Sequence, residues 1–193
     1  MNNEEALRQQ LAKILDWGEA HIDLKTALAD MPFKQQGHVP AGLPHSAWQL
    51  LEHLRIALRD ILEFTRGSQH TSPKWPEGYW PATVAPPDDK AWKHSADSFL
   101  DDLEGMRKLI TDPASDLFQP LAHGTGQTLL REALLVADHN ARITSANWCW
   151  CARRSAPGRS SRRSAPGRAA PVVLELLSVA SVQDCVAGSL RCR

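Results

Sequence analysis

Residues 128–140, TLLREALLVADHN, decide how the chain is read. At helical spacing Leu129, Ala133, Val136 and Asn140 form one stripe, with Leu135 and His139 on its shoulder. The spacing predicts an amphipathic helix that carries His139 toward a helical interior near its end. Residues 46–64, SAWQLLEHLRIALRDILEF, repeat the pattern. There Leu50, Leu54, Ala57 and Ile61 make the seam, and His53 sits three after Leu50 and four before Ala57. Two inward imidazoles on two helices make a candidate metal site.

The flanking sequence supplies two more helices. Residues 4–17 place Leu7, Leu11, Ile14 and Leu15 on one face, and Gly18 weakens the run. Asp23 is expected to cap a short continuation through Leu24, Ala27 and Leu28 that stops near Pro32. Residues 33–44 read as a connection. Ser46 and Gln49 have capping-box spacing, and Gly67 is placed to end that helix. Glu52 with Arg55, and Asp60 with Glu63, are assigned to its solvated face. Asp88 or Asp89 is expected to cap a further helix in which Trp92, Ser95, Ala96, Phe99, Leu103 and Met106 face the core, ending around Thr111. Four long helices and no β-rich window predict an all-α, up-and-down four-helix bundle with long loops.

One of those loops, residues 68–87, sets Trp75, Tyr79 and Trp80 among Pro73, Pro76, Pro81, Pro86 and Pro87. A long ordered loop without secondary structure usually covers something. It reads as an aromatic flap that either packs on the helices or also lines a substrate pocket.

Charge divides the chain. Among its 193 residues, 1–141 carry 13 Lys+Arg against 20 Asp+Glu, whereas 142–193 carry 9 against 2, every one of the nine an arginine. All four cysteines, Cys149, Cys151, Cys185 and Cys192, lie in the second part. An acidic, cysteine-free helical body of this length can bury one core without disulfides and suits the cytoplasm. The polar start of the chain argues against a signal peptide, and the acidic and amide residues within 171–190 argue against a membrane span.

The second part is unlike the first. RRSAPGR occurs at residues 153–159 and again at 162–168, so this Arg/Ser/Ala/Pro/Gly-rich tail, residues 142–193, is expected to be poorly ordered. An arginine-rich nucleic-acid arm is the functional alternative, but no aromatics are interleaved with the repeat and nucleic acid is not an expected partner. A shifted reading frame accounts for more. One permitted coding of residues 143–151, read one nucleotide earlier, gives Tyr-His-Leu-Gly-Gln-Leu-Val-Leu-Val, which resumes the amphipathic helix and sets a histidine four positions after His139.

The segments LPHSAWQLLEHLRIALRDILEF (residues 43–64), WPEGYWP (75–81) and GQTLLREALLVADHNA (126–141) together resemble the DinB-like (damage-inducible) superfamily. These helical bundles include bacillithiol- and mycothiol-dependent transferases and many metal-dependent hydrolases. The resemblance covers residues 1–141 and implies one metal-binding histidine in the second long helix and an H-x-x-x-H pair in the fourth. His53 matches the first ligand and His139 the second, whereas Ile143 occupies the third position. The shifted frame would restore that histidine. The implied cofactor is a divalent ion, zinc, nickel or similar, held by His53 and His139 in a site that is incomplete in this chain. The implied activity is hydrolysis or thiol transfer on a small-molecule substrate, with a homodimer as the expected assembly. The alternative is a non-catalytic helical bundle that binds a small molecule or a protein partner.

The remaining candidates carry less. Glu132, seven before His139, reads either as a surface carboxylate or as a supporting partner of the site. His45, His38, His70, His94 and His123 read as ordinary loop or surface residues, with a place at the mouth of the site as the lesser alternative for His45, which precedes a helix. Cys149 and Cys151 are spaced to share a metal but lack a second pair. No nucleophile motif, phosphate loop or dinucleotide fingerprint occurs in the sequence.

Overall fold

The computed structural model describes residues 2–16, 24–29 and 31–154, with side chains as far as Ala141. The caps expected at Asp23, the cysteine pair at 149 and 151, the side chain of Ile143 and the repeat-bearing tail lie outside the described residues or side chains. The described residues are all-α. They form α1 (Asn3–Asp16), α2 (Leu24–Ala29), α3 (Phe33–Gln36), α4 (Ala47–Arg66), α5 (Asp89–Thr111) and α6 (Leu129–Arg154), with a 3-10 turn at Glu77–Tyr79. No described helix is long and apolar enough to cross a membrane.

The helix α4 holds the centre. Its capping box is complete: the Gln49 amide donates to Ser46 Oγ at 3.2 Å, and the Ser46 amide donates to Gln49 Oε1 at 3.1 Å. Such a cap stabilises a helix by about 1 kcal/mol. At the other end the Gly67 amide donates to the Glu63 carbonyl at 3.2 Å, with Gly67 in extended backbone and not the left-handed form of a glycine cap. The expected seam of Leu50, Leu54, Ala57 and Ile61 is buried, and so are Leu51, Leu58 and Leu62. That is more than one stripe, because α4 packs against both α5 and α6 and also receives the 3-10 turn. Two carboxylates assigned to the solvated face are therefore covered. Glu52 is buried beside Arg55, with the guanidinium Nε 2.7 Å from its Oε1, and Asp60 is 1% exposed.

The other long helices close around α4. Asp88 caps α5, its Oδ1 accepting from the Ala91 amide at 2.7 Å, and Trp92, Ser95, Ala96, Phe99, Leu103 and Met106 are buried as expected. Trp92 Nε1 donates to the Leu28 carbonyl at 3.2 Å and ties α2 to α5. In α1 the core face is narrower than the pattern predicts: Leu11 and Leu15 are buried, but Ile14 is 47% exposed. Arg8 of α1 donates to the Ile110, Asp112 and Ser115 carbonyls, placing a cation on the orphan acceptors at the end of α5. Thr128 caps α6 through the Arg131 amide, and the stripe of Leu129, Ala133, Val136 and Asn140 is buried. The helix does not stop where the apolar stripe does; its backbone stays helical from Leu129 to Arg154. The predicted connection after Met31 contains a helical turn, α3, whose Gln36 is buried.

Candidate functional site

His53 and His139 come together. Both are buried, one from α4 and one from α6, with ring centroids 5.0 Å apart and the planes tilted by 61°. Each stands beside an apolar seam, so the packing that buries Leu54 and Val136 carries the imidazoles inward with them.

The flap orients one of the two rings. His53 Nδ1 lies 2.8 Å from the Tyr79 carbonyl oxygen. A carbonyl can only accept, so Nδ1 carries the proton and Nε2 keeps its lone pair. Trp80, next in sequence, stacks on His53 with centroids 4.0 Å apart and planes 4° from parallel. It also stacks on His45, at 4.2 Å and 25°. The flap is packed down along its length: Trp48 Nε1 donates to Thr83 Oγ1 at 3.1 Å, and Ser46 Oγ donates to the Val84 carbonyl. Gly37 faces Ala85 so closely that an added Cβ would stand 2.3 Å from the Ala85 Cβ, which explains the glycine there.

Burial sets the charge state. His53 is pushed down to about 4, chiefly by desolvation, although the Tyr79 carbonyl opposes the shift. His139 is pushed down to about 3 by desolvation and by its neighbour His53. Burial lowers His45 as well. At neutral pH both inner imidazoles are uncharged, which is the form that binds metal. His139 Nε2 is buried and has no hydrogen-bond partner among the described residues.

The donor chemistry and spacing fit a divalent ion. With nitrogen–metal distances of about 2.0–2.1 Å and the ring centre roughly 1.1 Å behind the nitrogen, two imidazoles on a tetrahedral ion have centroids about 5 Å apart. The observed 5.0 Å agrees. The donor count falls short of a full site: among the described residues no group of three or more His, Cys, Asp or Glu side chains is placed to hold a metal. Ile143, at the third expected position, lies in the helical backbone of α6, one turn beyond His139.

Several residues have roles that their sequence positions did not suggest. Glu132, for which a surface carboxylate is one of two readings, is 0% exposed and accepts from Arg131 Nη1 at 2.5 Å. Asp60 accepts from the Tyr79 hydroxyl at 2.7 Å through Oδ2 and lies 2.7 Å from His70 Nε2 through Oδ1. His70 is thus a partner of a buried acid and not a free loop residue. His123 Nε2 donates to the Phe64 carbonyl at 2.7 Å. The spacing of Asp60, seven after His53 and so on the same helical face, was the available signal. No family model, curated protein or solved structure matches the chain.

Proposed function

We propose that this chain is a DinB-like four-helix bundle with a two-histidine site for a divalent ion, zinc, nickel or similar, between α4 and α6. The observation that carries this reading is the pair of buried, neutral imidazoles 5.0 Å apart, with the His53 proton directed away on Nδ1 and His139 Nε2 unsatisfied among the described residues. Two such nitrogens hold an ion more weakly than three, because Ile143 brings no donor at the position one turn after His139. The resemblance assigns the family role of metal-dependent hydrolysis or thiol transfer on a small molecule. The ion, when bound, lowers the pKa of a water or thiol and acts as Lewis acid. The protein's own part is to present the two Nε2 atoms, hold them neutral by desolvation and cover one side with Trp80. The cysteine-free body suits a reducing cytoplasm.

Metal titration of the purified chain tests the site. Zinc, nickel and cobalt are each added and followed by calorimetry, with the cobalt d–d spectrum as a second readout. One ion per chain, lost in both His53→Ala and His139→Ala, is the expected result. No binding of any of the three ions would remove the catalytic reading and leave a bundle that binds a small molecule or partner.

A further inference from the structure

Tyr79 is attached to α4 at two points. Its carbonyl accepts from His53 Nδ1 at 2.8 Å, and its hydroxyl donates to Asp60 Oδ2 at 2.7 Å. His53 and Asp60 are seven residues apart, two turns along one face of the helix, or about 10 Å. The tyrosine, a rigid ring between its two polar ends, spans that distance. All three residues are buried, at 1% exposure for His53, 1% for Asp60 and 2% for Tyr79. A carboxyl group sits this deep in a protein when hydrogen bonds replace its water, and Tyr79 and His70 supply them.

We infer that Asp60 is a positioning residue for His53. Acting through Tyr79, it holds in place the carbonyl that keeps the His53 proton on Nδ1 and leaves Nε2 free to bind. A neutral imidazole has two tautomers, and the hydrogen bond made by one nitrogen decides which is present. The selecting acceptor is the carbonyl of the last residue of the short 3-10 turn in a proline-rich loop. The Tyr79 hydroxyl on Asp60 anchors that turn to α4, while Trp80 stacked at 4.0 Å sets the plane of the His53 ring. His70 holds the other oxygen of Asp60 from the half-buried side, where it lines a cleft with Glu63 and Arg66, and it is not part of the strut. The effect on metal affinity rests on the site proposed above. The effect on the tautomer does not.

The test uses the full chain, metal-free and at neutral pH. Ring nitrogen shifts of His53 are recorded by long-range proton–nitrogen correlation, with assignment by His53→Gln, and zinc affinity is measured by competition with a chromophoric chelator. Wild type should show His53 protonated at Nδ1. Tyr79→Phe should give a mixture of tautomers and a 10–100-fold loss of zinc affinity, the range typical for partners that orient a metal-binding histidine. Asp60→Ala should do the same, and it carries the test if Tyr79→Phe does not fold. Asp60→Asn, which keeps one acceptor for the Tyr79 hydroxyl, should restore most of the wild-type signal, and His70→Gln should leave the tautomer unchanged. Protonation of wild-type His53 at Nε2, or a tautomer indifferent to both Tyr79→Phe and Asp60→Ala, would overturn the inference even if zinc binds and is lost in His53→Ala. If wild type binds no zinc but its tautomer responds as expected, the positioning role stands and the metal reading fails.

Discussion

His53 and His139 reach one place from two helices, but they are held differently. His53 has a backbone acceptor on Nδ1, an indole on its face and a strut that returns to its own helix two turns later. His139 is carried inward by the packing of α6, and its Nε2 meets no partner among the described residues. The first imidazole has its hydrogen-bonding fixed by the fold. The second is desolvated with no compensation from the described residues at that nitrogen, and leaving such a group unpaired costs roughly 1–3 kcal/mol. A buried nitrogen under that penalty calls for a group that satisfies it.

The largest expected effect involves both histidines together. Each titrates near 6.5 in the unfolded chain, whereas in the fold His53 is lowered to about 4 and His139 to about 3. Between those values the unfolded chain binds more protons, so stability is full above about pH 6.5 and falls as the pH drops toward 4 and then 3. The slope should be about 1.4 kcal/mol per pH unit for each histidine. Urea unfolding between pH 7 and pH 4 measures it, and removing either histidine should reduce the slope by one proton's worth. A curve identical in wild type and in the double His53→Leu, His139→Leu variant would show that neither is buried neutral.

Next in size is the restoration of the third nitrogen. Ile143→His sets two imidazoles one turn apart on α6, which makes capture by the second nitrogen intramolecular and should raise zinc affinity on the order of 100-fold. Titration of the variant beside wild type checks it, and no gain would mean that position 143 does not share the face of His139. A smaller effect separates the two histidines directly. In metal-free protein His53→Leu removes the hydrogen bond to the buried Tyr79 carbonyl and should cost roughly 1–3 kcal/mol, whereas His139→Leu removes a nitrogen with no partner among the described residues and should be neutral or stabilising. Equal losses in denaturant would collapse the distinction between them. The smallest change is expected for His123→Ala, which gives up one hydrogen bond at the surface and should cost about 1 kcal/mol or less.

Much of this was legible along the chain, for a physical reason. Helical periodicity records one buried face, and that face was found in α4, α5 and α6, together with the inward direction of His53 and His139. The same logic failed wherever an element was covered on a second side. Asp60 and Glu52 follow the polar pattern of a solvated face, yet the flap and the neighbouring helices cover that face and the carboxylates are buried with partners. The surface reading of Glu132 failed in the same way, and the core reading of Ile14 in the opposite one, because α1 buries a narrower arc than its pattern suggests. The Tyr79 carbonyl could not have been anticipated, since a backbone acceptor has no signature in residue type.

The sequence by itself determined the long helices, the cap at Ser46, a cap at Asp88 or Asp89, and the two histidines that face inward, because these depend on spacing within a few turns. Only the tertiary structure decided that His53 and His139 stand 5.0 Å apart, that burial keeps them neutral, and that Asp60 and Tyr79 hold one of them in a single tautomer. Those properties belong to pairs of residues 19 to 86 positions apart in the chain. Desolvation and hydrogen-bond direction arise when the flap and α6 close on α4, and neither is a property of any one segment.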